Sequence, residues 1–237
     1  MDQLLVALDV DTAREARALA DQLRGVAGGF KIGSRLFTSH GPSIVQELAE
    51  RGDRVFLDLK FHDIPNTVAG AVNAAARSGA WMVNVHAAGG AAMMEAARKA
   101  ADQEAARTSR PAPLIIAVTM LTSLSDAMME TIGIGHRVAD QVERLAALAQ
   151  ASGLDGVVAS PQEIALIRRR CGSAFAIVTP GIRGAGDAKG DQSRTMSAGE
   201  ALAAGSTYLV VGRPIIAAAD PRAAAERIAA ECAASSS

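Results

Sequence analysis

The chain has 237 residues, a length that suits one α/β barrel and can bury a sizeable core without disulfide or metal staples. Apolar residues make up 49% and aromatics only 3%, so the core must be built from Val, Ile, Leu and Ala, the composition of buried parallel strands under Ala-rich helices. The formal net charge of −1 excludes the broad basic surface of a nucleic-acid or membrane-surface binder, so any positive charge that matters is local.

Short β-type runs alternate with helix-like stretches along the whole chain. LLVALD (4–9) leads into a helical pattern at 12–24, and GFKIG (29–33) and VFLDLK (55–60) follow. A helical stretch at 66–78 separates the third run from MVNVH (82–86), and one at 90–106 precedes LIIAVT (114–119). After a helical pattern at 137–151 come GVVAS (156–160), FAIVTP (175–180) and YLVVG (208–212), and Pro221 sits near the start of a last helix at 220–231. Eight such units predict a closed (β/α)8 TIM barrel, one α/β domain over residues 1–237, with a frayed tail at 233–237. A doubly wound open sheet is the competing architecture, but the glycine fingerprint often found after its first strand is absent.

The opening MDQLLVALDV has no cationic region before its short apolar run, and Cys171 and Cys232 lie outside any metal-type spacing. The expectation is a cytoplasmic protein with free thiols and no membrane or nucleic-acid partner. The least regular segment is 181–197, which is rich in Gly and polar residues and has the look of a functional loop over a site.

In a barrel the site lies where the strands end and the βα loops begin. Asp9 ends the first run, Lys31 lies in the second, and Asp58 and Lys60 end the third, with Asp63 just beyond. Asp58 and Lys60 are two apart, which places them on one face of the strand. Any single Lys–Asp pair here is as well read as an ion pair that sets register. Five charges at the ends of three successive strands are more than packing requires. The loops after the seventh and eighth runs carry TPGIR (179–183) and VGRPI (211–215). Gly181 and Gly212 allow backbone N–H groups to approach an anion, and Arg183 and Arg213 add charged donors, so the two loops together predict a phosphate site. His40, His62, His86 and His136 have no metal-ligand spacing, so no metal is expected, and no Ser-His-Asp or Cys-His arrangement is readable.

FLDLKFHDIPNTV (56–68) closely resembles the signature of the orotidine 5′-phosphate decarboxylase family, in its bacterial branch. FKIG, LTS (121–123), DGVVAS (155–160), TPGIR, the GDQ of 190–192 with Arg194, and YLVVGRPI (208–215) extend the resemblance over nearly the whole chain. D-x-K-x-x-D alone is shared with sister sugar-phosphate enzymes that use magnesium and carry an acidic residue in place of Lys31. The resemblance implies cofactor-free decarboxylation of orotidine 5′-phosphate to UMP, the last step of pyrimidine synthesis. It implies that Asp9 and Lys31 bind the ribose, that Asp58 sits beside the substrate carboxylate, and that Lys60 protonates C6. Thr122 and Ser160 would contact the pyrimidine or its closing loop. Pro180, Arg183, Gln192, Gly212 and Arg213 would surround the phosphate end. Asp63 and Thr67 would reach the neighbouring subunit's site in a homodimer with shared active sites.

Overall fold

A computed structural model describes residues 2–183 and 196–234. Eight parallel strands pair in sequence order and close on themselves. They are β1 (Leu4–Ala7), β2 (Gly29–Gly33), β3 (Val55–Phe61), β4 (Met82–His86), β5 (Leu114–Val118), β6 (Gly156–Val158), β7 (Ala176–Pro180) and β8 (Tyr208–Val211). The helices are α1 (Ala13–Leu23), α2 (Ser34–His40), α3 (Ser43–Glu50), α4 (Pro65–Arg77), α5 (Ala91–Thr108), α6 (Asp126–Thr131), α7 (Val138–Ala151), α8 (Ile164–Cys171), α9 (Ala198–Ala203), α10 (Arg213–Ile216) and α11 (Pro221–Ala234). Short 3-10 turns at Ala87–Gly89 and Pro161–Glu163 follow β4 and β6. The expected (β/α)8 barrel is therefore the fold.

Strand alternation sorts the apolar side chains into two layers. Leu5, Ala7, Phe56, Met82, Ile116, Val178 and Val210 fill the barrel interior. Leu4, Val6, Phe30, Ile32, Val55 and Leu57 point outward and pack under the helices. Both faces of the sheet are buried, which is why the strands read as continuous apolar runs. The end of the barrel nearest the strand starts is plugged by aromatics: Trp81 meets Tyr208 edge-on with ring centroids 5.3 Å apart. The Arg54 guanidinium lies 4.3 Å over the Trp81 ring. The opposite end is left open.

Helix ends follow local chemistry. Thr12 caps α1 by accepting the Glu15 N–H, and the Glu15 carboxylate accepts the Thr12 N–H in return. Pro65 opens α4 and Pro221 opens α11, positions where a missing N–H costs nothing. Between β2 and β3 the chain makes two short helices, broken at Gly41-Pro42, where Gly41 has φ of 66°. Several strands stop short of their apolar runs. β1 ends at Ala7 and β6 at Val158, because Asp9 and Ser160 leave the ladder as the chain turns into the βα loops. The C-terminal helix extends through Ala234, held by buried Ala229 and Cys232, so 233–234 are helical where fraying was expected. Residues 235–237 lie outside the described residues. Among the described residues no helix is long and apolar enough to cross a membrane.

Gly156 in β6 tests the closeness of this packing, since a Cβ there would lie 2.2 Å from the Ala176 carbonyl oxygen. Gly156→Ala is expected to lower stability by roughly 2 kcal/mol and Tm by about 4 °C or more, measured by calorimetry. A Tm within about 1 °C of the unaltered protein would contradict the close approach of β6 and β7.

Candidate active site

The open end of the barrel holds a cavity of about 500 Å3, within the range that accommodates a small-molecule ligand. Asp9, Lys31, Asp58 and Lys60 line one side, from the ends of β1, β2 and β3. Thr122, Pro180, Gly181, Arg183, Gly212 and Arg213 line the other, from the end of β7, the start of α10 and the segments that follow β5, β7 and β8. The cavity floor is Ala7, Phe56, Val118, Val158, Val178 and Val210. Polar and charged groups thus surround an apolar base.

The charges form a continuous row. Lys31 Nζ donates to Asp9 Oδ1 at 3.1 Å and pairs with Asp58 Oδ2 at 3.4 Å. Lys60 Nζ donates to Asp58 Oδ1 at 2.6 Å. The side chains of Lys31 and Asp58 are only 10% and 13% exposed, so the central pair is largely withdrawn from water and its attraction is weakly screened. Gly33 leaves the necessary room: a Cβ there would lie 3.0 Å from Lys31 Nζ and 3.3 Å from Asp9 Oδ1.

Burial by itself pushes the Asp58 carboxyl upward, but the ammonium charges of Lys31 and Lys60 and hydrogen bonds from Lys60 and Asn84 outweigh it, and the carboxyl is held below the usual carboxylate range. The cavity therefore presents a fixed anion between two cations at neutral pH. Nearby, burial and the neighbouring His62 and Lys60 charges lower the His86 imidazole, so it favours the neutral form. The His62 and His86 rings lie 5.4 Å apart.

The backbone under this row is unusual. Lys60 has a φ of 53°, in the left-handed region that long side chains rarely occupy, a conformation that costs about 1–3 kcal/mol. The β3–β4 register shifts between Leu57 and Phe61 at the same place. Asn84 of β4, fully buried, spans the irregularity: its side-chain oxygen accepts the Lys60 N–H at 2.8 Å and its amide donates to Asp58 Oδ1 at 2.7 Å.

Most of the residues singled out in the sequence meet here. Asp9, Lys31, Asp58, Lys60, Thr122, Pro180, Arg183, Gly212 and Arg213 all line the one cavity. Asp63 and Thr67 do not; they are exposed at the start of α4, with the Asp63 carboxylate accepting the Ile64 N–H at 2.6 Å and Ile64 itself 68% exposed. Ser160 is buried and is not among the lining residues; its N–H donates to the Glu163 carboxylate at 2.8 Å. Gln192 lies outside the described residues. The ends of its segment are tied together, with the Arg183 N–H donating to the Met196 carbonyl at 3.0 Å. Arg35, Met120 and Leu121 also line the cavity and were not anticipated. Nor was Asn84, although strand alternation carries the signal: in MVNVH the inward positions are Met82, Asn84 and His86, and an amide at an inward position invites a partner.

Residues 2–228 match the profile of the family described as orotidine 5′-phosphate decarboxylase / HUMPS. The orotidine 5′-phosphate decarboxylase of Moorella thermoacetica is 57% identical over 97% of this chain and 92% of its own length. That of Alkalilimnicola ehrlichii is 54% identical over 98% of this chain and 97% of its own. Among solved structures, orotidine 5′-phosphate decarboxylase from Lactobacillus acidophilus superposes with a TM-score of 0.86 at 36% identity, covering 97% of this chain and 98% of the other. A conserved protein from Geobacillus kaustophilus, described as uncharacterized, gives a TM-score of 0.85 at 42% identity over 97% and 99%.

The electrostatics of the row predict a titration. A carboxyl held below its unfolded value stabilises the fold above the ordinary carboxylate range, and that contribution is lost as pH falls through the depressed value. Lys31→Met removes the largest of the charges that hold Asp58 down, so its titration midpoint should move to higher pH, read by carboxyl 13C NMR. An unchanged midpoint would show that Lys31 does not set the charge state of Asp58.

Proposed function

The chain belongs to the orotidine 5′-phosphate decarboxylase / HUMPS family, and from that premise we propose that it converts orotidine 5′-phosphate to UMP and CO2, the final step of de novo pyrimidine synthesis, in the cavity at the barrel mouth. The observation that carries this reading is the row Asp9–Lys31–Asp58–Lys60, preformed and facing the cavity. Relatives of 52–57% identity over almost the full chain bear the decarboxylase name. The magnesium-dependent sugar-phosphate branch is not favoured. Its pattern requires an acidic residue at position 31, whereas here a lysine ammonium occupies the space between Asp9 and Asp58.

In the proposed reaction the C6–carboxylate bond breaks and its electron pair stays on C6, in the ring plane. No ring orbital delocalises that pair, so stabilisation must come from fixed charge. Lys60 supplies an ammonium beside C6 and then donates its proton there, leaving a neutral amine and UMP. Asp58 faces the substrate carboxylate, and the repulsion between them vanishes as CO2 departs. Two like charges ~4 Å apart cost roughly 4 kcal/mol at an effective dielectric of about 20, worth about a thousandfold in rate. The remaining acceleration falls to preorganised charge and to binding energy gathered at the phosphate end.

The other assignments belong to the same reading. Asp9 and Lys31 hold the ribose hydroxyls, and Thr122 and Ser160 serve the pyrimidine or its closing loop. Arg183, Gln192 and Arg213 hold the phosphate, and Pro180 and Gly212 line the substrate cavity. Gly181, with a φ of 83°, and Gly212 give the backbone freedom this end needs. Asp63 and Thr67 serve the site of a second copy in a homodimer, supported by their exposure beside the outward-facing Ile64. A cytoplasmic setting suits the buried Cys171 and Cys232, which form no disulfide among the described residues.

Lys60→Ala is expected to lower kcat by roughly a thousandfold or more while UMP binding changes by less than about tenfold, measured by stopped assay and calorimetric titration. Near-normal kcat would remove Lys60 from the proton-donor role. For the dimer, mixing Lys60→Ala with Asp63→Ala subunits should restore activity, because some hybrid sites draw both intact residues from different chains. No recovery on mixing, with hybrid dimers verified by native mass spectrometry, would count against shared sites.

A further inference from the structure

We infer that Asn84 is a positioning residue of the reaction, holding the left-handed backbone of Lys60 and the carboxylate of Asp58 in one fixed relation. The inference rests on the roles proposed for Lys60 and Asp58. Asn84 is fully buried in β4, faces the barrel interior and is not among the residues lining the cavity, so it acts through its two neighbours and not on the substrate. Its two contacts go to the two groups that matter: the Lys60 N–H at 2.8 Å and Asp58 Oδ1 at 2.7 Å. The orientation of the amide is dictated, since only its oxygen can accept from an N–H and only its nitrogen can donate to a carboxylate.

The need for this brace follows from the strand. Lys60 sits at a φ of 53°, where the β3–β4 ladder is interrupted, so its N–H is not served by the regular pairing. A residue held in that region persists only when its surroundings over-determine it. Asn84 supplies the missing acceptor. The same Asp58 oxygen that takes the Asn84 amide also takes Lys60 Nζ, at 2.6 Å. Rotation of Asp58 away from Asn84 would therefore carry Lys60 Nζ with it. One side chain thus sets both the path of the lysine's backbone and the anion that holds its ammonium.

Two substitutions separate this role from simple packing. Asn84→Leu keeps approximate size and removes both hydrogen bonds. Asn84→Asp introduces a carboxyl of the same shape, which can replace both bonds only while protonated: its O–H then donates to Asp58 and its carbonyl oxygen accepts from Lys60. Once ionised it opposes Asp58 directly. The charged and titratable groups facing this place are Asp58 and Lys60 from β3, Lys31 from β2, His86 from β4 and His62 from the turn after β3. Adjacent carboxylates that share one proton titrate as a pair, with one member raised toward neutral pH.

The test measures kcat, KM and UMP affinity for both variants between about pH 6 and pH 8, beside the unaltered protein and Lys60→Ala. Asn84→Leu is expected to lose at least about tenfold in kcat across the range, with UMP affinity within about threefold of normal. Asn84→Asp is expected to acquire an alkaline limb, losing at least about tenfold more kcat at pH 8 than at pH 6. Normal kcat in Asn84→Leu, or parallel losses of kcat and UMP affinity, would overturn the inference. So would a pH-independent Asn84→Asp. If Asn84→Leu does not fold, the pH profile of Asn84→Asp decides alone. An inactive Lys60→Ala beside unaffected Asn84 variants refutes only the brace, whereas an active Lys60→Ala refutes the proton-donor reading on which it rests.

Discussion

The pairing of a buried carboxylate with two ammonium groups, Lys31–Asp58–Lys60, is the constraint on which the rest of the open end depends. Each ion would be costly to withdraw from water alone. Together they are mutually compensated, and Asp9 and Asn84 complete the set from β1 and β4. The barrel supplies what such an arrangement needs. Four successive strands deliver one or two polar groups each to the same place, and closure of the sheet prevents them from drifting apart. Small residues do the rest: Gly33 stands where any side chain would press on Lys31 and Asp9.

The same architecture divides the labour between the two ends. The end nearest the strand starts is sealed by Trp81, Tyr208 and Arg54, and the interior is filled by an apolar layer rising to Phe56 and Val178. Above that layer the chain turns polar. An apolar floor beneath a row of charges keeps the local dielectric low, which strengthens each electrostatic contact made above it. A reaction that relies on charge, with no electron sink to share the work, gains from such a floor.

Much of this was legible in the sequence. The eight apolar runs gave the barrel because parallel strands buried on both faces leave a plain signature, and the charges at strand ends stood out because packing does not ask for them. Asp58 and Lys60 were readable from a spacing of two. The left-handed Lys60 was not, because a backbone irregularity leaves no trace when the residue concerned is not glycine. Asn84 is harder to read for a related reason: alternation marks it as an inward amide in need of partners, but those partners lie on another strand. The runs 4–9 and 156–160 extend two residues past β1 and β6 because Leu8 and Ala159 still donate to the neighbouring strands, at the Lys31 and Val178 carbonyls, before Asp9 and Ser160 turn away. The paired helices α2 and α3 hide in a stretch whose Gly41-Pro42 break disguises the period.

The central claim is that fixed side-chain charge, with Lys31 standing between Asp9 and Asp58, carries the decarboxylation. The most direct measurement follows the ultraviolet absorbance of orotidine 5′-phosphate with the purified protein in buffer stripped of divalent ions and containing EDTA. The account predicts full turnover to UMP, unchanged when magnesium is added back. Turnover abolished by EDTA and restored by magnesium would contradict it.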